Sequence, residues 1–474
     1  MTNKHRTRMT LLSLLATMII FACQVGSSPT PTPVPTNTPE PTATTAPTNT
    51  PEPTATTAPT ETPAEAPTES GSEPTSSDPI IFIDQVHGYY DIYDALNVVG
   101  LVTNNTDRAV DNVEIEVEIF DAAGTSLYVD TVYLDLYALL PGETSPFSLY
   151  VFDDLPSADN FVATVVGNSV TEIERAPVEI ANSVMTFDDD GSVHLTGELV
   201  NNTDQPILIN SLSGAVFNAS GELAISEAYN VMIRYLDPGD SGPFRVSITG
   251  PEAGTADLST YQIYVDAEFT DSIPSFGLTI SDAVNYLDDF GDLHLVGQVT
   301  NDGNQVLSVY LVAGLYDAEG KVIDASSLTL PINALKPGEF SPYDFDFWGP
   351  ANSTAGLLDS ATEYSVQVDG WWTYETTTEL FDLTTTNDVN EFDEFGGTFT
   401  GQVVNNSGGP ISNVTVIVYL VSKETGAIVA TGDIYLFDEI ADGGTLDYTV
   451  YVYSEAGIDV NSVEYYILVK GQRP

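Results

Sequence analysis

The chain has 474 residues, with 69 Asp and Glu against 12 Lys and Arg, which gives a formal net charge of −57 at pH 7. This charge excludes nucleic acid as a partner, because a phosphate backbone must be neutralised by clustered Lys and Arg, and it argues against a chain that lies flat on an anionic membrane surface. The length predicts three or four domains, and a single cysteine excludes an intrachain disulfide and any cysteine-based zinc or iron–sulfur site.

The N-terminus has the pattern of a signal peptide at residues 1–22. Basic residues precede a mostly apolar run at 9–22, which is too short to span a bilayer, since a transmembrane helix needs about 20 residues. The run ends in Ile-Phe-Ala-Cys, which resembles the lipobox of bacterial lipoprotein signals, although Phe21 departs from the residue usual at its place. The resemblance implies lipidation of Cys23 and domains on the outer face of the membrane; an ordinary secretory signal is the alternative.

Residues 23–79 form a Pro- and Thr-rich segment with almost no bulky apolar side chains. It contains a perfect duplication, because TNTPEPTATTAP at 36–47 is repeated at 48–59. Such a segment cannot bury enough apolar surface to offset its conformational entropy, so we expect a disordered linker with a polyproline bias. Its predicted role is a spacer between the lipid and the domains.

Three landmarks recur four times in the same order after residue 80. The first is a Gly-x-apolar-x-Asn signature that begins at Gly100, Gly197, Gly297 and Gly401. The second is a turn that ends in glycine, at Gly124, Gly221, Gly320 and Gly426. The third is a Pro-Gly turn or its relative, followed by an aromatic strand, at Gly142, Gly239, Gly338 and Gly443. A period of roughly 100 residues predicts four tandem copies of one domain.

Between the landmarks, apolar and polar residues alternate, as in Val-Glu-Ile-Glu-Val-Glu-Ile at 113–119. A period of two is typical of a strand with one buried face, and short strands between Gly, Asn, Asp and Pro turns favour an antiparallel sandwich. We therefore predict an all-β fold of four tandem immunoglobulin-like sandwiches. The predicted repeats span 80–175, 176–272, 273–378 and 379–474.

The repeats resemble the FxLYD family of bacterial surface domains. Repeat 3 has the closest match, Leu315-Tyr316-Asp317 followed by Gly320, although Ala313 stands where the family has Phe, and repeat 4 lacks the Asp. The resemblance implies an extracytoplasmic β-domain and no defined chemistry.

The histidines do not form a catalytic set. His194 and His294 occupy the same place in consecutive repeats, three residues before the landmark glycine. Because Leu195 is expected to point into the core, alternation predicts that His194 points to solvent. Histidines one repeat apart cannot share a site within one core, and no hydrolase, phosphate-loop or dinucleotide motif is present. The sequence therefore predicts a protein that is not an enzyme.

Two further sets of residues are weaker candidates for binding. Acidic turns could supply oxygen ligands to Ca²⁺, although they do not have EF-hand spacing and suit an ordinary hairpin turn equally. Their residues are Asp188, Asp189, Asp190, Asp288, Asp289 and Asp292. Trp371 and Trp372 are adjacent, so on a strand one would face outward, where it could stack on a sugar or pack against the next repeat.

These observations predict a non-catalytic, lipid-anchored surface protein whose tandem sandwiches act as a spacer and interaction module for envelope proteins or extracellular polymer. The alternative, which uses Trp371 or Trp372, is a carbohydrate-binding accessory protein.

Overall fold

The structure is a computed structural model that describes residues 81–474, except for 154, 156, 189–190, 230, 252–256, 274–276, 282, 289, 333, 348–359, 374–379, 394 and 456–457. The predicted signal peptide, Cys23 and the predicted linker lie outside the described residues. In the described part, every long regular element is a β-strand, and no helix has the length and apolar character needed to span a membrane.

The strands form four immunoglobulin-like antiparallel sandwiches, which confirms the predicted fold class. The first contains β1 (Ile81–Tyr90), β2 (Leu96–Asn104), β3 (Val110–Asp121), β4 (Ser126–Tyr133), β5 (Ala138–Leu139), β6 (Thr144–Val151) and β7 (Ala158–Val170). The second contains β8 (Glu179–Phe187), β9 (Val193–Val200), β10 (Ile207–Phe217), β11 (Leu223–Tyr229), β12 (Tyr235–Leu236), β13 (Ser241–Ile248) and β14 (Thr260–Phe269).

The third and fourth sandwiches follow the same plan. The third contains β15 (Leu278–Ile280), β16 (Val284–Leu287), β17 (Leu293–Asn301), β18 (Leu307–Tyr316), β19 (Val322–Thr329), β20 (Phe340–Phe347) and β21 (Glu363–Thr373). The fourth contains β22 (Leu380–Asp382), β23 (Thr384–Phe392), β24 (Gly396–Val404), β25 (Ser412–Ser422), β26 (Ile428–Leu436), β27 (Thr445–Tyr453) and β28 (Val463–Gln472).

Each sandwich pairs two sheets. In the first, β1–β2–β6 form one sheet, and the other has β3 at its centre with β4, β5 and β7. The second sandwich repeats this order as β8–β9–β13 and β11–β10–β14 with β12. In the third, the first strand is divided into β15 and β16, and in the fourth the short β22 adds to β28.

The landmark glycine and the landmark aromatic residue form one structural pair. They are directly opposite on neighbouring strands, and a Cβ on the glycine would lie 2.5 to 2.8 Å from the aromatic side chain. The pairs are Gly100 with Phe147, Gly197 with Phe244, Gly297 with Tyr343, and Gly401 with Tyr448. The glycine therefore leaves the space in which the buried ring lies.

The landmark asparagine fixes the turn that follows its strand. In the fourth sandwich, the buried Asn405 donates Nδ2 hydrogens to the carbonyls of Gly409 (2.8 Å) and Ile440 (2.7 Å) and accepts from the amide of Ser407 (3.0 Å). The same three bonds are made by Asn104, Asn201 and Asn301. All four have negative φ, so these asparagines act through their side chains and not through a left-handed backbone.

Candidate functional site

The sandwiches are joined through the outer faces of their sheets. We call the outer face of the sheet that contains β2, β9, β17 or β24 the receiving face. We call the outer face of the sheet that contains β3, β10, β18 or β25 the docking face. In the described part, β11 lies against β2 and β6, β19 lies against β9 and β13, and β26 lies against β17 and β20. One junction is therefore built three times: the docking face of each sandwich covers the receiving face of the sandwich before it.

The strand pairing defines equivalent positions on the docking faces. In each sandwich, the central strand of the docking face has a residue that lies opposite an aromatic residue on the last strand. The pairs are Ile119 with Phe161, Val216 with Tyr261, Leu315 with Tyr364, and Leu420 with Tyr465. The residues one and three positions earlier in the sequence than the first residue of each pair face outward. These are Glu118 and Glu116, Ala215 and Ser213, Gly314 and Val312, and Tyr419 and Ile417.

The first junction joins hydrophobic cores. Ala215, Leu223 and Tyr264 of the second sandwich belong to the same cluster of buried apolar residues as the core of the first. Polar bonds surround this contact: the His87 ring Nε2 lies 2.8 Å from the Ala224 carbonyl. Ser213 Oγ donates to Asp135 Oδ2 at 2.6 Å.

Arg175, in the connector between the first two sandwiches, binds both of them. Its guanidinium pairs with Glu143 at 2.7 Å and donates to the Ala138 carbonyl at 2.8 Å, both in the first sandwich. It also pairs with Asp266 of the second, whose side chain is almost fully buried. Because a buried charge needs a partner, this connector fixes the two sandwiches together.

The second junction uses a similar combination of contacts. Val312, Val322 and Ala325 of the third sandwich join the core cluster of the second. Thr196 Oγ1 on the receiving face donates to the Val322 carbonyl at 2.6 Å. Arg245 Nη1 lies 3.0 Å from Asp324 Oδ1, and only 1% of the Asp324 side chain is exposed.

The histidine at the second junction is buried, so the prediction that it points to solvent is wrong. His194 does lie on the face opposite Leu195, but the third sandwich covers that face and leaves 5% of the residue exposed. Arg245 Nη2, which can only donate, lies 3.1 Å from Nδ1, so Nδ1 is the acceptor. Nε2 then donates to Asp188 at 3.1 Å.

The third junction contains apolar, aromatic and charged contacts. Ile417 of the fourth sandwich lies in the core cluster of the third, and Tyr419 packs edge-on against Phe340 with ring centroids 5.8 Å apart. Lys470 pairs with Glu339 at 2.7 Å across this junction. Two turns also meet here, because Phe290 stacks on Phe395 at 5.4 Å.

His294, also only 4% exposed, lies in an acidic cluster at the third junction. Its Nδ1 is 3.0 Å from Asp344 Oδ1, and its Nε2 is 3.7 Å from Asp288 Oδ2. Burial lowers the pKa of this imidazole, but the hydrogen bond and charge of Asp344, with the charges of Asp346 and Asp288, raise it more, so the pKa lies above its usual value. Burial raises the pKa of Asp344, and it raises the pKa of Asp346 to about 6.

The acidic turns use their carboxylates locally. Asp288 Oδ1 accepts from the amides of Phe290 and Asp292 at 2.8 and 2.9 Å. Asp189, Asp190 and Asp289 lie outside the described residues. Among the residues that the structure describes, no group of three or more His, Cys, Asp or Glu is arranged to hold a metal ion. Calcium binding at these turns stays a prediction.

Trp371 and Trp372 lie on β21, where their backbones pair with Val309 and Ser308 of β18. Their side chains lie outside the described part, so glycan stacking also stays a prediction.

An open cavity of about 700 Å³ lies beside the second junction. Its lining includes Tyr235, Asp240, Gln367 and Asp369, and no described residue of the lining is His, Lys or Cys. Burial raises the pKa of Asp369 to about 6, although Arg234 lowers it in part. Ser241, also in the lining, donates its hydroxyl to Glu198 Oε1 at 3.1 Å.

No protein-family model matches the chain, and no curated protein matches it. The solved structures similar to it include the native form of Escherichia coli alpha-2-macroglobulin, at 12% identity and a TM-score of 0.12, over 82% of this chain and 28% of that one. The trypsin-activated form gives 10% identity and a TM-score of 0.11, over 78% and 31%. The BSP domain of a biofilm-associated protein gives 8% identity and a TM-score of 0.11, over 82% and 93%. The chain thus spans less than a third of the two macroglobulin chains, and likenesses this weak identify neither a family nor a function.

Proposed function

We propose that this chain is a non-catalytic surface protein, anchored by a lipid on Cys23, whose four sandwiches form a stiff interaction module for envelope proteins or extracellular polymer. Residues 24–79 act as the spacer between the lipid and the module. From the sequence resemblance, we also propose that the repeats are FxLYD-like domains.

One observation supports the stiffness of the module: the same junction is built three times. At each junction, apolar residues of the later sandwich lie in the core cluster of the sandwich before it. A sandwich that rotates away exposes these side chains, at about 25 cal/mol per Å² of apolar surface. Domains joined through small polar contacts move freely, whereas a hydrophobic interface restricts them.

The charged groups support a binding module and not an enzyme. The two described histidines that come closest to carboxylates, His194 and His294, are enclosed at junctions and hydrogen-bonded there. A general base must reach a substrate proton, and these imidazoles have little access to one.

The distance between spin labels on neighbouring sandwiches tests the stiffness. In a Cys23→Ser background, labels at Asp204→Cys and Asp302→Cys, both exposed, report on the second junction. We expect one narrow distance distribution. Val312→Glu, which places a carboxylate in this junction, should broaden it at least twofold.

Val129→Glu is the matched control, since Val129 is 51% exposed on the docking face of the first sandwich and touches no junction. It should leave the distribution unchanged. A broad distribution in the unsubstituted pair would show that the sandwiches move independently and would overturn the proposal.

A further inference from the structure

The receiving face of the fourth sandwich is covered by no described residue. Thr398, Thr400 and Gln402 of β24 are partly exposed on it, and Tyr451 of β27 is 56% exposed. In the three earlier sandwiches, the equivalent face is buried beneath the next docking face.

This open face retains residues that make the junctions elsewhere. Thr400 lies one residue before the landmark glycine, as does Thr196, whose hydroxyl donates to the Val322 carbonyl of the docking strand. Gln402 lies one residue after that glycine, at the position of Glu198, whose carboxylate accepts from the Tyr316 hydroxyl of the third sandwich at 3.3 Å. The face therefore has the strand order and the polar groups that receive a docking face.

Among the residues with a described position, none covers the docking face of the first sandwich either, but this face differs in chemistry. Its central strand carries a glutamate stripe, Glu114, Glu116 and Glu118, of which Glu116 is exposed. The residues equivalent to Glu116 and Glu118 in the other sandwiches are buried and carry no charge. They are Ser213 and Ala215, Val312 and Gly314, and Ile417 and Tyr419.

The glutamate stripe disfavours the joining of these two faces in two copies of the chain. Docking would bury Glu116 where Val312 and Ile417 are 0% exposed. Strands β23, β24 and β27 of the receiving face contain no Lys or Arg. Glu116 would therefore be buried without a basic partner from these strands, which costs more than apolar contact returns. Bringing together two chains of net charge −57 adds repulsion.

We propose that the receiving face of the fourth sandwich binds the docking face of a β-sandwich on a different protein, one without acidic side chains at these positions. The glutamate stripe keeps a second copy of this chain from binding there. The proposal deepens the proposed function by naming the class of partner at the same kind of junction, and it does not depend on the lipid anchor.

The chain itself can supply the probe. In a Cys23→Ser background, Glu114→Ser, Glu116→Val and Glu118→Ala give the first sandwich the docking residues of its neighbours. At 0.3 M NaCl, which screens the net charge, sedimentation velocity should show the unmodified protein as a monomer. The triple variant should associate at least tenfold more tightly, into dimers and longer assemblies that grow with concentration.

The Thr400→Arg substitution tests whether association uses the receiving face of the fourth sandwich. Added to the triple variant, it should abolish self-association. This quadruple variant, mixed with the unmodified chain, should form only a one-to-one complex, because one partner supplies the docking face and the other the receiving face.

A triple variant that has an unchanged circular dichroism spectrum and stays monomeric would overturn the proposal. So would association that survives Thr400→Arg, because the new apolar face would then pair with itself. Self-association of the unmodified chain that Thr400→Arg removes would contradict the role of the glutamates. Each outcome is independent of the label distances across the second junction, so the two proposals can fail separately.

Discussion

Charged residues at the junctions pair with residues of the neighbouring sandwich. Arg245 reaches Asp324 across the second junction and also donates to His194 on its own sheet. Burial raises the pKa of Asp324, and Arg245 offsets part of that rise. Arg175 and Arg245 each pair with a buried carboxylate at a junction, Asp266 and Asp324 respectively.

The imidazole at the third junction predicts a pH dependence of stability. The raised pKa of His294 means that its contribution is fully present below its unfolded pKa, about 6.5, and is lost as the pH rises through the folded value. The raised pKa values of Asp344, and of Asp346 to about 6, act in the same direction, because ionising these carboxylates costs more in the folded state. Calorimetry should therefore show a higher melting temperature for the third and fourth sandwiches at pH 5.5 than at pH 8.

His294→Gln removes one of these groups and leaves the carboxylates in place. The variant should lose the part of this pH dependence that His294 contributes. It should still melt higher at pH 5.5 than at pH 8, because burial raises the pKa values of Asp344 and Asp346 and His294 no longer lowers them. Tyr286, which stacks on His294 at 4.9 Å, keeps its contact with the Tyr453 carbonyl and serves as a structural reference. Equal pH slopes for the two proteins would show that His294 does not titrate at this junction.

At the level of the element, we expect replacement of the landmark asparagine to lower stability locally. Asn405→Ala leaves the carbonyls of Gly409 and Ile440 and the amide of Ser407 without the partner they have in the fold. An unsatisfied buried group costs about 1–3 kcal/mol, so we expect the free energy of opening of the fourth sandwich to fall by about 3 kcal/mol. Hydrogen exchange with mass spectrometry would localise the loss.

The neighbouring residue provides the control for this substitution. Asn406 is exposed, so Asn406→Ala should change the same free energy by less than about 0.5 kcal/mol. Equal losses at the two positions would mean that the asparagine signature reflects turn propensity and not its buried bonds.

The sequence predicts the strands, the number of sandwiches and the landmark turns, because these depend on local periodicity and turn chemistry. The sequence also contains a signal for the junctions. Polar and apolar residues alternate along residues 113–119 of β3, whereas β18 reads Leu-Ser-Val-Tyr-Leu-Val-Ala-Gly-Leu-Tyr. A strand without alternation has two buried faces. The prediction for His194 was wrong for this reason: alternation gives the face of a side chain, but not whether a second sandwich covers it.

At the scale of the molecule, the contacts between described strands of different sandwiches join consecutive sandwiches, as in the repeats of a solenoid. Stability then becomes a sum of sandwich and junction contributions, and the two end faces need not match the internal ones. The glutamate stripe at one end of the described array is the kind of polar surface that such arrays need for solubility.

Attachment to the membrane is the last prediction at this scale. The net charge of −57 repels an anionic bilayer surface. We propose that the lipid on Cys23 is the attachment, since two acyl chains hold a protein stably where one chain is marginal. Cys23→Ser should therefore move the protein from the membrane fraction to the soluble fraction and abolish labelling by a palmitate analogue. A variant at Cys23 that remains in the membrane fraction after a high-salt wash would require a different anchor.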